Sequence, residues 1–207
     1  MSEYHKIETL YERDEKTHKL KPELILKNPT YGLLKEWEWT EKIDGTNIRV
    51  MWSPEDRSVR FGGRTDNALM DAQLLQTLMS QFPASAMETV FPDAPAIIYG
   101  EGYGAGIQKG GGYSETKKFI AYDVLVGCTW WLNWANTCDV CKRLGCDVVP
   151  FIGAMSLEDA TEMVRAGFPS CVGGGKVAAE GLVGRPSECL YDKKMHRLFA
   201  KLKTKDF

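Results

Sequence analysis

No apolar run in these 207 residues is long enough to cross a bilayer, which takes about 20 mostly apolar residues in a helix. The opening stretch MSEYHKIETLYERDEK carries charges where a secretory leader would carry an apolar core, so the chain is expected in the cytoplasm. Positive charge is not in surplus. The balance of 26 Lys and Arg against 28 Asp and Glu, a formal −2, excludes a protein coated in cations for nucleic acid. Histidine is scarce, and His5, His18 and His196 stand apart from every motif discussed below, so none is given a part in catalysis. Internal repeats and low-complexity linkers are also missing. A single domain over residues 1–207 is therefore expected, large enough for a core without disulfide or metal staples.

The six cysteines are expected as free thiols in such a chain. Cys138, Cys141 and Cys146 form C-x2-C-x4-C, but a structural zinc site needs four ligands and no matching second pair follows. The surrounding WLNWANTCDVCKRLG reads as an amphipathic helix ending at Gly145, a face on which cysteine packs as a small apolar side chain.

Strand-like patterns are present at residues 47–52, 58–61, 96–101, 118–126, 181–184 and 196–203. Helical spacing is present at 68–82, 131–144 and 157–166. The first helix is expected to bury Leu74, Leu75, Leu78, Met79 and Phe82. The third has Ser156 as N-cap and stops at Gly167. Strands arrive in runs broken by isolated helices rather than in strict alternation. That predicts an α+β fold of antiparallel sheets with flanking helices.

Chemistry-bearing residues cluster where these strands end or face outward. TEKIDGTNIR holds Lys42, Asp44, Gly45 and Asn47 around an Asp-Gly turn. FGGRTDN places Arg64 after a strand and two glycines. IIYGEGYGAGIQKGGGY drives an apolar strand into Glu101 and a glycine-rich loop, and KFIAYDVLV sets Tyr122 and Asp123 in an apolar strand. AEGLVGRP puts Glu180 at a strand start. In the closing KKMHRLFAKLKTKDF, Leu198, Ala200 and Leu202 alternate with Lys201 and Lys203, so the lysines form a row on one strand face. Each has an ordinary reading too: a turn, a surface acid of little energetic value, a core tyrosine, a solvated basic face.

Taken in order, Lys-x-Asp-Gly, Arg, Gly-Glu-Gly, aromatic-Asp, Glu-Gly and Lys-x-Lys resemble the motifs of the covalent nucleotidyltransferases, the superfamily of ATP-dependent ligases and mRNA capping enzymes. The likeness is strongest to the RNA ligase 2 type, in EKIDGTN and in GEGYGAGIQK followed by FIAYD. It runs from about Glu41 to Lys203.

The resemblance implies the adenylyltransferase fold of those ligases and an ATP-dependent enzyme that joins 5′-phosphate and 3′-hydroxyl RNA ends. It makes Lys42 the nucleophile that becomes lysyl-AMP and Lys201 and Lys203 the grip on the phosphates. Asp44, Gly45, Asn47, Arg64, Glu101, Tyr122 and Asp123 become nucleotide-binding positions, with Tyr122 stacked on adenine and Glu101 at the ribose. Glu180 and Glu101 become the carboxylates for Mg2+, or Mn2+ in its place. RNA in a nicked duplex or stem-loop is the implied partner, with a DNA ligase or a non-catalytic RNA-binding module of the same fold as alternatives. Three features depart from the pattern: Gly63 where near relatives have lysine, Tyr122 for phenylalanine, and no OB domain expected after Lys203.

That many lysines and acids with so little histidine suits the chemistry. Displacing pyrophosphate needs cationic side chains and a hard metal ion more than a strong acid or base. A free lysine, with a pKa of about 10.4, is almost wholly an ammonium at neutral pH, so burial and neighbouring cations are expected to help free its lone pair.

Overall fold

The computed structural model describes residues 3–108 and 112–207. Lys109 of the glycine-rich run, with Gly110 and Gly111, lies outside the described residues. In chain order the elements are β1 (Glu8–Thr9), β2 (Trp37–Glu41), β3 (Thr46–Ser53), β4 (Ser58–Gly62), α1 (Ala72–Gln81), α2 (Ala84–Val90), β5 (Ala96–Tyr103), β6 (Lys118–Val126), β7 (Trp130–Trp131), α3 (Trp134–Arg143), β8 (Phe151–Met155), α4 (Leu157–Ala166), β9 (Gly181–Arg185) and β10 (Ala200–Lys203). The fold is α+β with two mainly antiparallel sheets. Among the described residues no helix is long and apolar enough to cross a membrane.

The chain packs as two compact units. One contains the residues up to His5 and Asp44–Val149, the other Lys6–Ile43 and Pro150–Phe207. The first is built on an antiparallel sheet in the order β4-β3-β5-β6-β7. One face supplies Ile48, Val50, Trp52, Ile98, Phe119, Ala121 and Val124 to a core shared with Leu74, Leu78 and Phe82, Met87, and Val140 and Cys141 from the three helices. Each such large apolar side chain stabilises by roughly 1.5–3 kcal/mol when fully buried.

Along β6 the core-facing positions change parity, from Phe119 and Ala121 to Val124. Tyr99 pairs with Asp123 while the next residue, Gly100, pairs with Ala121, so Tyr122 is the extra residue of a β-bulge. A bulge turns a side chain out of the regular ladder.

Several expected boundaries shift for local reasons. α1 begins at Ala72, because the Asp71 carboxylate caps it by accepting from Gln73 N and Leu74 N. Met79 is 59% exposed, as it lies five residues after Leu74, about 140° round the helix from the buried stripe. Leu75, at 100° from Leu74, is only partly buried. Trp131 belongs to β7, and α3 starts after Asn133, whose side chain accepts from Asn136 N. That helix closes in a Schellman turn: Cys146 N donates to Cys141 O, and Gly145 N donates to Lys142 O with Gly145 at φ 63°. Cys141 and Cys146 pack inside the unit's core.

The second unit has the sheet order β1-β10-β9-β2-β8, with only β1 and β10 parallel. α4 covers it, capped by Ser156 as expected, and Leu157, Ala160 and Val164 pack with Trp37, Trp39, Leu182, Leu198, Ala200 and Leu202. β2 and β8 were not expected. The final strand is shorter than its alternation implied, beginning at Ala200, with Arg197 instead bridging Tyr191 in a hairpin.

Candidate functional site

Within the second unit, three of the motif residues meet. β2 ends at Glu41, and the chain continues beside β9 through a hydrogen bond from Lys42 N to Gly181 O (2.9 Å). The Lys42 side chain is thereby brought to the start of β9, where Glu180 precedes the strand. Lys42 Nζ donates to Glu180 Oε2 at 2.6 Å, and Lys203 Nζ, from β10, donates to Glu180 Oε1 at 2.6 Å. Glu180 itself is fixed by Thr204 N donating to its carbonyl (2.9 Å). The three side chains are 21%, 16% and 19% exposed for Lys42, Glu180 and Lys203. Burial alone would raise the Glu180 pKa, but the charges and hydrogen bonds of Lys42 and Lys203 outweigh it and hold it below the usual carboxylate range.

Lys201 lies two residues back on β10, on the same face as Lys203. Among the described residues it has no ion-pair partner. Desolvation first, then the charges of Lys203 and Lys42, bring its pKa down to about 8; Glu8 acts in the opposite sense and Arg13 adds to the depression. Lys42, by contrast, has an anionic partner in Glu180.

Burying the Lys201 charge costs the folded state fully below pH 8. The cost is relieved as the pH rises from about 8 to 10.5, where only the unfolded chain still holds the proton. Lys201→Met should therefore melt a few degrees above the parent at pH 7, with the gap closing above pH 8. Thermal melts of both proteins across that range check it, and a gap that is absent or widens with pH contradicts it.

The first unit carries the other motif residues on the sheet face opposite the helical core. Asn47 on β3 and Glu101 on β5 are register partners, and Asn47 Nδ2 donates to the hydroxyl of the bulged Tyr122. Burial, followed by the charge of Glu101, pushes the Tyr122 pKa well above its ordinary value, so its hydroxyl stays neutral. Asn47 Oδ1 is buried and has no hydrogen-bond partner among the described residues. A buried amide oxygen left open is costly, which marks it as a place for a donor from a bound molecule. Gly45 is required by close approach, since a Cβ there would overlap Gly102 O and sit 2.8 Å from Glu101 Cγ. Asp44 is partly exposed just before β3, and Arg64 is exposed on the loop after β4.

Asp123 follows Tyr122 on β6. It is fully buried and accepts from Tyr4 Oη at 2.9 Å and from Val124 N at 3.1 Å. Tyr4 also packs edge-on against Tyr122, 5.0 Å between ring centroids. The open face thus holds its aromatic residue between Asn47 on one side and the N-terminal tyrosine on the other.

Three residues missed in the sequence support the site. Glu41 is 1% exposed and accepts from Ser170 Oγ and from Cys171 N (2.9 Å), which ties the turn before β9 to the residue preceding Lys42. Arg49 is fully buried, donating from Nε to Gly63 O (2.8 Å) and from Nη2 to Asp66 Oδ1 (2.7 Å), so it holds the loop that carries Arg64. At Gly63 any side chain would meet Ala68 Cβ at 2.6 Å, a local reason for the missing lysine. Tyr4 is the third. An arginine inside the apolar run IRVMW was a visible signal; nothing local marked Glu41 or Tyr4.

Known proteins share the family and the fold. The RNA ligase family model matches residues 35–203. Among solved structures, Naegleria gruberi RNA ligase in a Lys-to-Ala mutant with ATP and Mn superimposes with a TM-score of 0.68 at 18% identity, over 98% of this chain and 62% of that one. A Lys-to-Met mutant with AMP and Mn gives 0.68 at 19%, over 96% and 59%. An Asp-to-Ala mutant without ligand gives 0.68 at 18%, over 84% and 51%. This chain thus spans between half and two thirds of the structures it matches. No curated protein matches it.

Proposed function

This chain belongs to the RNA ligase family, and from that premise we propose that it is an ATP-dependent RNA ligase working through a lysyl-AMP on Lys42. The observation that carries the reading is the cluster in the second unit, where Lys42 and Lys203 share the Glu180 carboxylate beside an unpaired Lys201. Cations outnumber the acid there, and that imbalance fits a polyphosphate. Residues 1–207 serve as one nucleotidyltransferase domain, and the structural relatives with ATP, AMP and Mn support the choice of nucleotide and of a divalent metal.

Lys42 Nζ must lose a proton and leave its ion pair before it can attack. The new N–P bond then forms at the α-phosphorus of ATP as the P–O bond to pyrophosphate breaks. Lys201 and Lys203 hold the phosphates whose charge grows in that step, a stabilisation that preorganised cations provide without reorganisation. Next, an oxygen of a 5′-phosphate end displaces Lys42 from the adenylate phosphorus, and the lysine regains its proton. A 3′-hydroxyl then attacks the activated end and AMP departs. Asn47 and Tyr122 place the nucleotide, with Tyr122 as the stacking ring and Arg64 at the sugar and terminal phosphate. We assign Asp123 to holding Tyr4 and the bulge. Glu180 in the second unit and Glu101 in the first would each offer the hard oxygens that Mg2+ or Mn2+ prefers, and a bound ion would supply charge neutralisation at the phosphates.

Incubation with α-labelled ATP and Mg2+, followed by denaturing electrophoresis, tests the reading. The expected result is an acid-labile, base-stable label on the parent and none on Lys42→Ala. Equal label on both proteins, or none on a folded, AMP-free parent with ATP or GTP, rejects it.

A further inference from the structure

We infer that the hairpin at residues 190–198 is a second contact surface, made for the phosphate backbone of RNA outside the nucleotide site. The inference rests on the RNA ligase reading, since that reading supplies the polyanion.

The hairpin is closed by the Tyr191 and Arg197 bridge and by hydrogen bonds from Asp192 N to His196 O (2.8 Å) and from Leu198 N to Leu190 O (2.9 Å). Its turn is stiff. Asp192 Oδ1 accepts from Lys194 N (2.8 Å) and His196 N (2.9 Å), and Met195 N donates to Asp192 O (3.0 Å). The amides of Lys194, Met195 and His196 are thus satisfied from within the turn.

Lys193, Lys194, Met195 and His196 are all exposed, Met195 at 74%. Met195 also has φ 60°, where glycine is the usual occupant of such a turn.

The tip carries net positive charge, with Lys193 and Lys194 against Asp192. Lys193 and Lys194 have no ion-pair partner among the described residues. Asp192 beside them accepts from the turn amides and lies 3.6 Å from His196 Nδ1, and its single charge offsets only part of the two lysines'. This pair of adjacent lysines makes a local positive patch on a chain of net charge −2.

The base of the hairpin leads straight into the site. Arg197 and Arg185 lie over the Phe199 ring at 4.6 and 5.5 Å, and Tyr31 Oη donates to Phe199 O at 2.8 Å, anchoring the return strand. β10 and its Lys201 and Lys203 follow at once. At an extended rise of about 3.3 Å per residue, the tip is at most roughly 23 Å of chain from Lys201, a reach of several base pairs. A strand end held near Lys42 would thus pass its flanking phosphates close to the tip. Phosphate contacts of this kind set position without reading sequence.

The test compares the parent with Lys193→Gln/Lys194→Gln and Lys193→Arg/Lys194→Arg, all in the full chain. Binding of a fluorescein-labelled nicked RNA duplex is followed by anisotropy as salt is raised, and each protein is also labelled with α-labelled ATP. The Gln pair should be labelled like the parent, bind about tenfold more weakly and show a log–log salt slope shallower by about two; the Arg pair should match the parent. A labelled parent with unchanged affinity and slope in the Gln pair overturns the inference, as does a labelled parent that binds no RNA. A parent that takes no label instead overturns the ligase reading on which the inference rests.

Discussion

Gly181→Ala is expected to unfold the second unit's sheet around its site and to abolish label transfer from ATP. The glycine lies at φ 151°, pairs with Lys203 across β9 and β10, and directly follows Glu180. A Cβ there would overlap Leu202 O and approach Lys203 Cα to 2.8 Å, and both obstacles are backbone. No side-chain rotation relieves such a clash, so the two strands must separate. Separation would carry away the Lys42 N to Gly181 O bond and the Glu180–Lys203 ion pair together. A cost of about 3–4 kcal/mol would lower the melting point by about 10 °C in a chain of this size. Gly145→Ala is the comparison to make. It too has a positive φ (63°), but nothing lies within 4 Å of the added Cβ, so it should lose only the glycine conformational advantage. Equal melting points for the two variants would contradict the steric argument.

The second large effect is expected from Glu180→Gln. The glutamine keeps the shape but removes the charge that Lys42 and Lys203 share, leaving two ammonium groups facing each other with Lys201 close by. Label transfer should fall by about a hundredfold or more, the usual scale for losing a group that organises charge in a transition state. Stability should fall too, by about 2 kcal/mol at neutral pH. That is below the cost of breaking a fully buried pair, because these side chains remain partly exposed. The Glu180 pKa is depressed in the fold, so its stabilisation is complete above the unfolded carboxylate pKa and is lost as the pH falls through the folded one. The parent and variant should therefore differ at pH 7 and converge in acid. Melting curves at both pH values check the stability claim, and a quench-flow or timed gel assay checks the rate. A variant as active as the parent would remove Glu180 from the chemistry.

Much of the second unit's site was legible before folding, because it is written in local signals. The alternation of Leu198, Ala200 and Leu202 with lysines gave Lys201 and Lys203 a common face, and the structure buries the three apolar residues as that pattern requires. β6 and α4 were read with the boundaries observed, since each has a clear period and a clear stop. β2 escaped because its alternation breaks: Trp39, Thr40 and Glu41 are all buried in succession. β8 escaped because it is five residues long, contains Gly153 and buries no consistent face. His196 and Arg197 matched a strand period but were taken by the Asp192 turn instead.

By itself the sequence determined which side chains alternate, the Ser156 cap of α4, and the order of motifs that resembles the RNA ligases. Those are properties of neighbours along the chain. Only the tertiary structure decided which groups are partners. Glu180 could pair with Lys42 because β9 lies between β2 and β10. Tyr122 left the regular face of β6 because one residue was inserted against β5. Asp123 was claimed by Tyr4, 119 residues earlier, and Glu41 by Ser170, 129 residues later. Periodicity records whether a residue is buried, whereas the energy of a buried charge depends on what stands opposite it, and that is fixed by strand order and register.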